Sequence, residues 1–157
     1  MPSAPTIHAT CFVLDGRGIL LRGESGAGKS RLALHFIETA AEQGRMARLV
    51  GDDRVYIEAI EGRLVASVPA AIAGLIERRS RGLRDAGIEN IDFQPSAPVS
   101  LVVDILPDAE VFAEAGKKIH RIRLEGIELP YLAVPRDFAN AVALIEQILP
   151  KLEQSQG

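Results

Sequence analysis

The chain has 157 residues, 47% hydrophobic and 25% charged, the make-up of a folded globular domain rather than a disordered or collagen-like chain. Its 18 Lys and Arg against 21 Asp and Glu leave a formal net charge of -3, without the positive footprint that general nucleic-acid binding needs. A lone cysteine, Cys11, excludes an internal disulfide; with no basic-then-apolar leader and no long uncharged apolar run, the expectation is a cytoplasmic protein without a membrane segment.

Residues 11–14 and 18–21 read as two strands joined by Asp15-Gly16, a pair that supplies the positive φ angles of a tight hairpin. The second strand runs straight into Gly23-Glu24-Ser25-Gly26-Ala27-Gly28-Lys29-Ser30. Leu32, Phe36 and Ala40 then recur four apart, with Ala33 and Ile37 beside them and Gly44 behind, which predicts a helix over 29–43. Residues 47–60 read as extended chain with Val55, Ile57 and Ala59 on one face, and Glu61-Gly62 turns it back into a strand over 64–68. Pro69 opens a predicted helix over 70–79. The nearly continuous apolar run 101–106 predicts a central strand covered on both faces. Residues 119–124 alternate, Glu125-Gly126 turns, and 128–134 form another strand, which Pro130 places at an edge. A stripe of Phe138, Val142, Ile145, Leu149 and Leu152 predicts a last helix over 138–152. With no repeat and no linker, the pattern predicts one α/β domain over 1–157, a mixed sheet with flanking helices.

Gly23-x-x-x-x-Gly28-Lys29-Ser30 fits the phosphate-loop template in full, and it lies where the physics requires, between an apolar strand and an amphipathic helix. Its glycines let successive backbone N–H groups turn inward toward phosphate oxygens, and the helix N-terminus adds partial positive charge. Lys29 would reach the β- and γ-phosphates, and Ser30 would offer its hydroxyl to Mg²⁺. A site of this kind also needs an acidic residue at a strand end for the metal, and a base beside an acceptor hydroxyl. Asp52-Asp53 and Asp104 compete for these places. If Asp52 and Asp53 end a strand, alternation turns one toward the metal and the other toward the acceptor. His8, ahead of the first strand, is a further candidate; His35 and His120 are weaker ones. Glu77-Arg78-Arg79-Ser80-Arg81-Gly82-Leu83-Arg84 is basic and reads by itself as a solvated face.

His8, the hairpin, the phosphate loop and Asp52-Asp53-Arg54-Val55 together resemble the catalytic domain of bacterial HPr kinase/phosphorylase, in its short proteobacterial form lacking the N-terminal domain. Leu75-Ile76-Glu77-Arg78-Arg79 resembles that family's Leu-x-Glu-x-Arg-Gly segment, and the resemblance spans about residues 7–150. It implies a fold similar to the nucleotide-binding part of phosphoenolpyruvate carboxykinase. It also implies phosphorylation of a serine of HPr with ATP and Mg²⁺, with reversal by phosphorolysis in many members, and a homo-oligomer, in the family a hexamer. Carried over, Gly23 to Ser30 bind nucleotide, Lys29 contacts phosphates, and Ser30 and Glu77 hold the metal. One of Asp52 and Asp53 takes the serine proton, while His8 and Arg79 lie at the transferred phosphate. Arg31 and Ser80 stand where the family usually has an acidic residue and a glycine. Its Pro-x-Arg-Pro-Gly-Arg segment is only partly echoed by Val134-Pro135-Arg136-Asp137-Phe138-Ala139. The competing expectations on the same loop are a small-molecule or nucleotide kinase and a nucleotide-sensing regulator without turnover.

Overall fold

The computed structural model describes residues 6–24, 26–68, 92–107 and 120–155. In chain order these carry β1 (Thr6–Ile7), β2 (Ala9–Leu14), β3 (Arg17–Arg22), α1 (Lys29–Glu42), β4 (Ala47–Gly51), β5 (Val55–Ile60), β6 (Arg63–Ser67), β7 (Asp92–Phe93), β8 (Ser96–Leu106), β9 (His120–Leu124), β10 (Ile127–Pro135) and α2 (Phe138–Ser155). The predicted helix over 70–79 lies outside the described residues.

The strands form one mixed sheet in the order β1-β5-β6-β8-β3-β2-β4-β7, with β10 joined to β8 and β9 to β10. β8 is central, as the apolar run predicts, but longer: its first residues pair antiparallel with β6, and the rest runs parallel to β3 and β10. Among the described residues, three tight hairpins turn at Asp15-Gly16, Glu61-Gly62 and Glu125-Gly126, each with both residues at positive φ. The edge position expected for β10 from Pro130 is corrected, because β10 pairs with β9 on one side and β8 on the other. Pairing with β8 begins only at Tyr131, so Pro130 sits where β9 is its sole partner and its missing N–H is tolerated.

Alternation along the central strands builds two cores. Phe12, Leu14, Ile19, Leu21, Leu101, Val103 and Ile105 face the helices, where they meet Leu32, Phe36 and Ile37 of α1 and Ile145 and Ile148 of α2. The Phe12 and Phe36 rings stack at 5.9 Å. Cys11, Val13, Leu20, Val99 and Val102 point the other way, onto Val55, Ile57, Leu64 and Ala66 of the β5–β6 hairpin. Full burial contributes about 1.5–3 kcal/mol for each such large aliphatic or aromatic side chain. Burial also pushes the Cys11 thiol up to about 12, so it behaves as a small hydrophobe.

Extended chain predicted without a break over 47–60 is interrupted after Gly51. A Cβ there would lie 2.6 Å from methyl carbons of both Val55 and Val68, so only glycine lets the chain pass. β4 ends at this point, and residues 52–54 make a bend before β5. Gly51→Ala should therefore overpack the second core and lower stability by about 1–3 kcal/mol, read as a lower urea midpoint with an unchanged m-value.

Candidate active site

The loop from Gly23 to α1 delivers a lysine and a serine to one end of the sheet. Gly28 precedes the helix at φ 106°, a left-handed conformation that side-chain-bearing residues avoid. No described side chain caps α1 and its first turn holds no acid, so its leading amides and dipole are free to meet an anion. The Lys29 side chain is 5% exposed, with Nζ donating to the carbonyls of Gly23 at 2.7 Å and Glu24 at 3.2 Å. Ala27 N–H donates to Glu24 O at 2.9 Å and closes the turn. Ser25 lies outside the described residues.

The Asp52-Asp53 bend meets this loop. Ser30 Oγ donates to Asp52 Oδ1 at 2.6 Å. Asp53 turns elsewhere: its Oδ1 is 3.7 Å from Lys29 Nζ and 3.8 Å from His8 Nδ1. Adjacent carboxylates thus face different partners, and strand alternation is not the cause. Asp53 lies at φ 70°, and this left-handed residue in a bend swings the two side chains apart. His8, Lys29, Ser30, Asp52 and Asp53 are brought together; Glu77 and Arg79 lie outside the described residues.

One residue of the site, Thr10, carries no mark in the sequence. Thr10, fully buried on β2, donates through Oγ1 to Asp52 Oδ1 at 3.0 Å and accepts from the Asp53 N–H at 3.1 Å. Nothing local marks it, because threonine is an ordinary strand former. Arg136, after β10, reaches Glu24 of the loop at 3.2 Å. The rival carboxylate is engaged in the sheet. Asp104 accepts two hydrogen bonds from Arg22, at 2.7 and 2.8 Å, and one from Tyr131 Oη at 2.7 Å. The hydrogen bond to Asp104 holds the Arg22 guanidinium above its usual range, and burial followed by the same carboxylate raises the Tyr131 phenol.

Among the described residues no cluster of three His, Cys, Asp or Glu could hold a metal ion. Ser30 and Asp52 nevertheless offer oxygen donors only, the chemistry that suits Mg²⁺ completed by phosphate oxygens and water.

The family model for the HPr Serine kinase C-terminal domain matches residues 1–156. The chain belongs to that family. HPr kinase/phosphorylase of Malacoplasma penetrans is 26% identical over 136 residues, covering 82% of this chain and 42% of the relative. That of Caldanaerobacter subterraneus subsp. tengcongensis is 30% identical over 148 residues, covering 91% of this chain and 47% of the relative. The chain therefore spans less than half the length of these curated relatives. The solved Hpr(Ser) kinase/phosphatase of Coxiella burnetii superposes with a TM-score of 0.66 at 23% identity, over 96% of this chain and 97% of that one. The mixed sheet, with two helices among the described residues, is thus the α/β fold of the HPr Serine kinase C-terminal domain. No described helix is long and apolar enough to cross a membrane.

If Asp104 only braces the sheet, Asp104→Ala should cost about 1–3 kcal/mol of stability by orphaning Arg22 and Tyr131. ATP affinity of the folded variant, measured by calorimetry, should remain that of the parent chain.

Proposed function

We propose that this chain is an ATP- and Mg²⁺-dependent protein-serine kinase acting on the phosphocarrier HPr, with residues 1–157 working as one catalytic domain. The observation that carries the proposal is the division of labour between neighbours, with Asp52 on Ser30 and Asp53 between Lys29 and His8. Phosphoryl transfer to a hydroxyl needs both a carboxylate at the metal and another free for the acceptor proton. Family membership and relatives named HPr kinase/phosphorylase support HPr as the acceptor.

In this mechanism the α1 amides and Lys29 hold the β- and γ-phosphates, and Lys29 exchanges its loop carbonyls for phosphate oxygens. Ser30 and Asp52 would hold Mg²⁺, with Glu77 as the further ligand that the family resemblance implies; when bound, the ion neutralises charge on the phosphates. Asp53 accepts the serine proton as the serine oxygen bonds to the γ-phosphorus and the bond to the bridging oxygen breaks, releasing ADP. His8 and Arg79 would border the transferred group. In the reverse direction phosphate attacks the phosphoserine phosphorus, Asp53 returns the proton to the serine oxygen, and pyrophosphate leaves. The same resemblance supports a cytoplasmic homo-oligomer, a hexamer that sedimentation would detect.

Mass spectrometry of HPr after incubation with the chain, ATP and Mg²⁺ tests the proposal, and phosphoserine is the expected product. ADP release driven only by a nucleoside monophosphate would make it a nucleotide kinase. ATP binding without transfer, in Mg²⁺ and in Mn²⁺, would make it a sensor. Lys29→Ala should lower transfer by about 10²–10³-fold, the scale seen when one preorganised electrostatic donor is removed. Asp53→Asn should lower kcat while leaving ATP affinity within about twofold, whereas Asp52→Asn should weaken binding only when Mg²⁺ is present.

A further inference from the structure

We propose that Thr10 is the positioning residue that holds Asp52 and Asp53 in separate roles, its one hydroxyl pinning the peptide between them. The inference deepens the kinase assignment above and rests on it for the meaning of the two roles. Thr10 is a fully buried polar side chain on β2. Its hydroxyl proton goes to Asp52 Oδ1 at 3.0 Å, and a lone pair takes the Asp53 N–H at 3.1 Å. The neighbouring Ala9 N–H donates to the Asp53 carbonyl at 3.3 Å. Two consecutive residues of β2 thus grip the N–H and C=O of Asp53, the residue held at φ 70°.

Asp52 Oδ1 receives two hydroxyls, Thr10 from the sheet side and Ser30 from the loop side. Without the first, the Ser30–Asp52 pair loses the hydroxyl that ties it to β2. Without a partner for its N–H, the left-handed Asp53 is free to relax toward ordinary backbone conformations, which carries its carboxylate away from Lys29 and His8. Valine has the shape of threonine but neither hydrogen bond, and serine has both hydrogen bonds without the methyl group.

The test compares the parent chain with Thr10→Val and Thr10→Ser in two measurements that need no HPr. The first is amide hydrogen exchange at Asp53 by NMR. The second is ATP affinity by calorimetry, with Mg²⁺ and again in EDTA. Asp53 should be protected in the parent chain and exchange at least about tenfold faster in Thr10→Val, as expected when a hydrogen bond is lost locally. Thr10→Val should bind ATP about tenfold more weakly with Mg²⁺ but within about twofold in EDTA, and Thr10→Ser should match the parent in both. An unprotected Asp53 amide in the parent chain overturns the proposal. So does undiminished Mg²⁺-dependent affinity in Thr10→Val, or a loss in Thr10→Ser as large as in Thr10→Val. If Thr10→Val does not fold, parent-chain exchange and Thr10→Ser decide. A parent chain that binds ATP with Mg²⁺ yet leaves HPr unmodified removes the kinase assignment, while these readouts still judge Thr10.

Discussion

Because β2 pairs antiparallel with β3 on one side and with β4 on the other, β3 and β4 leave the sheet at the same end. β3 leaves into the phosphate loop and β4 into the aspartate bend, and His8 sits at the start of β2 between them. Strand spacing sets the two exits roughly 10 Å apart, two inter-strand steps. That is a gap a helix N-terminus and two short side chains can bridge. The Ser30–Asp52 and Lys29–Asp53 approaches are the bridges, and both depend on β2 being the shared partner. A slip of either pairing by one residue would also send Phe12 and Cys11 to the wrong cores, so the packing that stabilises the sheet also holds the site in register.

The phosphate loop was legible because its chemistry is local. Glycines, lysine and serine lie within eight consecutive residues, and the flanking strand and helix announce themselves by period. The aspartate pair was half legible. Its position after an extended segment could be read, but which carboxylate faces the loop depends on a bend opened by the demand for glycine at position 51 and on the left-handed Asp53. Both are set by contacts with Val55, Val68 and Thr10, which no local pattern encodes. Thr10 was illegible for the same reason, since its partners lie 42 and 43 residues away and its own surroundings in sequence are those of any buried strand. Pro130 does not mark an edge strand, because the two halves of β10 have different partners and the proline lies in the half paired with β9.

Asp104 shows why an apolar strand ending in aspartate is weak evidence of chemistry. The helix-facing side of β8 is filled by Leu101, Val103 and Ile105, which leaves Asp104 on the opposite face beside Arg22 of the adjacent strand. A two-toothed guanidinium contact and a phenol donor meet the carboxylate's needs. A carboxylate so occupied braces the strand that leads into Gly23 and has little capacity left for a metal. Asp52 and Asp53, by contrast, keep their partners among the groups that a phosphate would engage.

The departure at Arg31 has a physical resolution in the packing of α2. A cation next to Ser30, where the resemblance leads one to expect an acid, adds charge beside the Gly23–Ser30 loop. Here the guanidinium carbon lies 4.0 Å over the ring of Phe138, the first residue of α2, and His35 one turn along α1 meets the same ring edge-on at 5.4 Å. The negative π face attracts the guanidinium and so fixes where its charge stands. Arg136, two residues before Phe138, pairs with Glu24 on the loop, so the junction of β10 and α2 touches the site at both its loop and its helix. The C-terminal segment therefore does more than close the first core, because it sets where two arginines stand relative to the N-terminal end of α1.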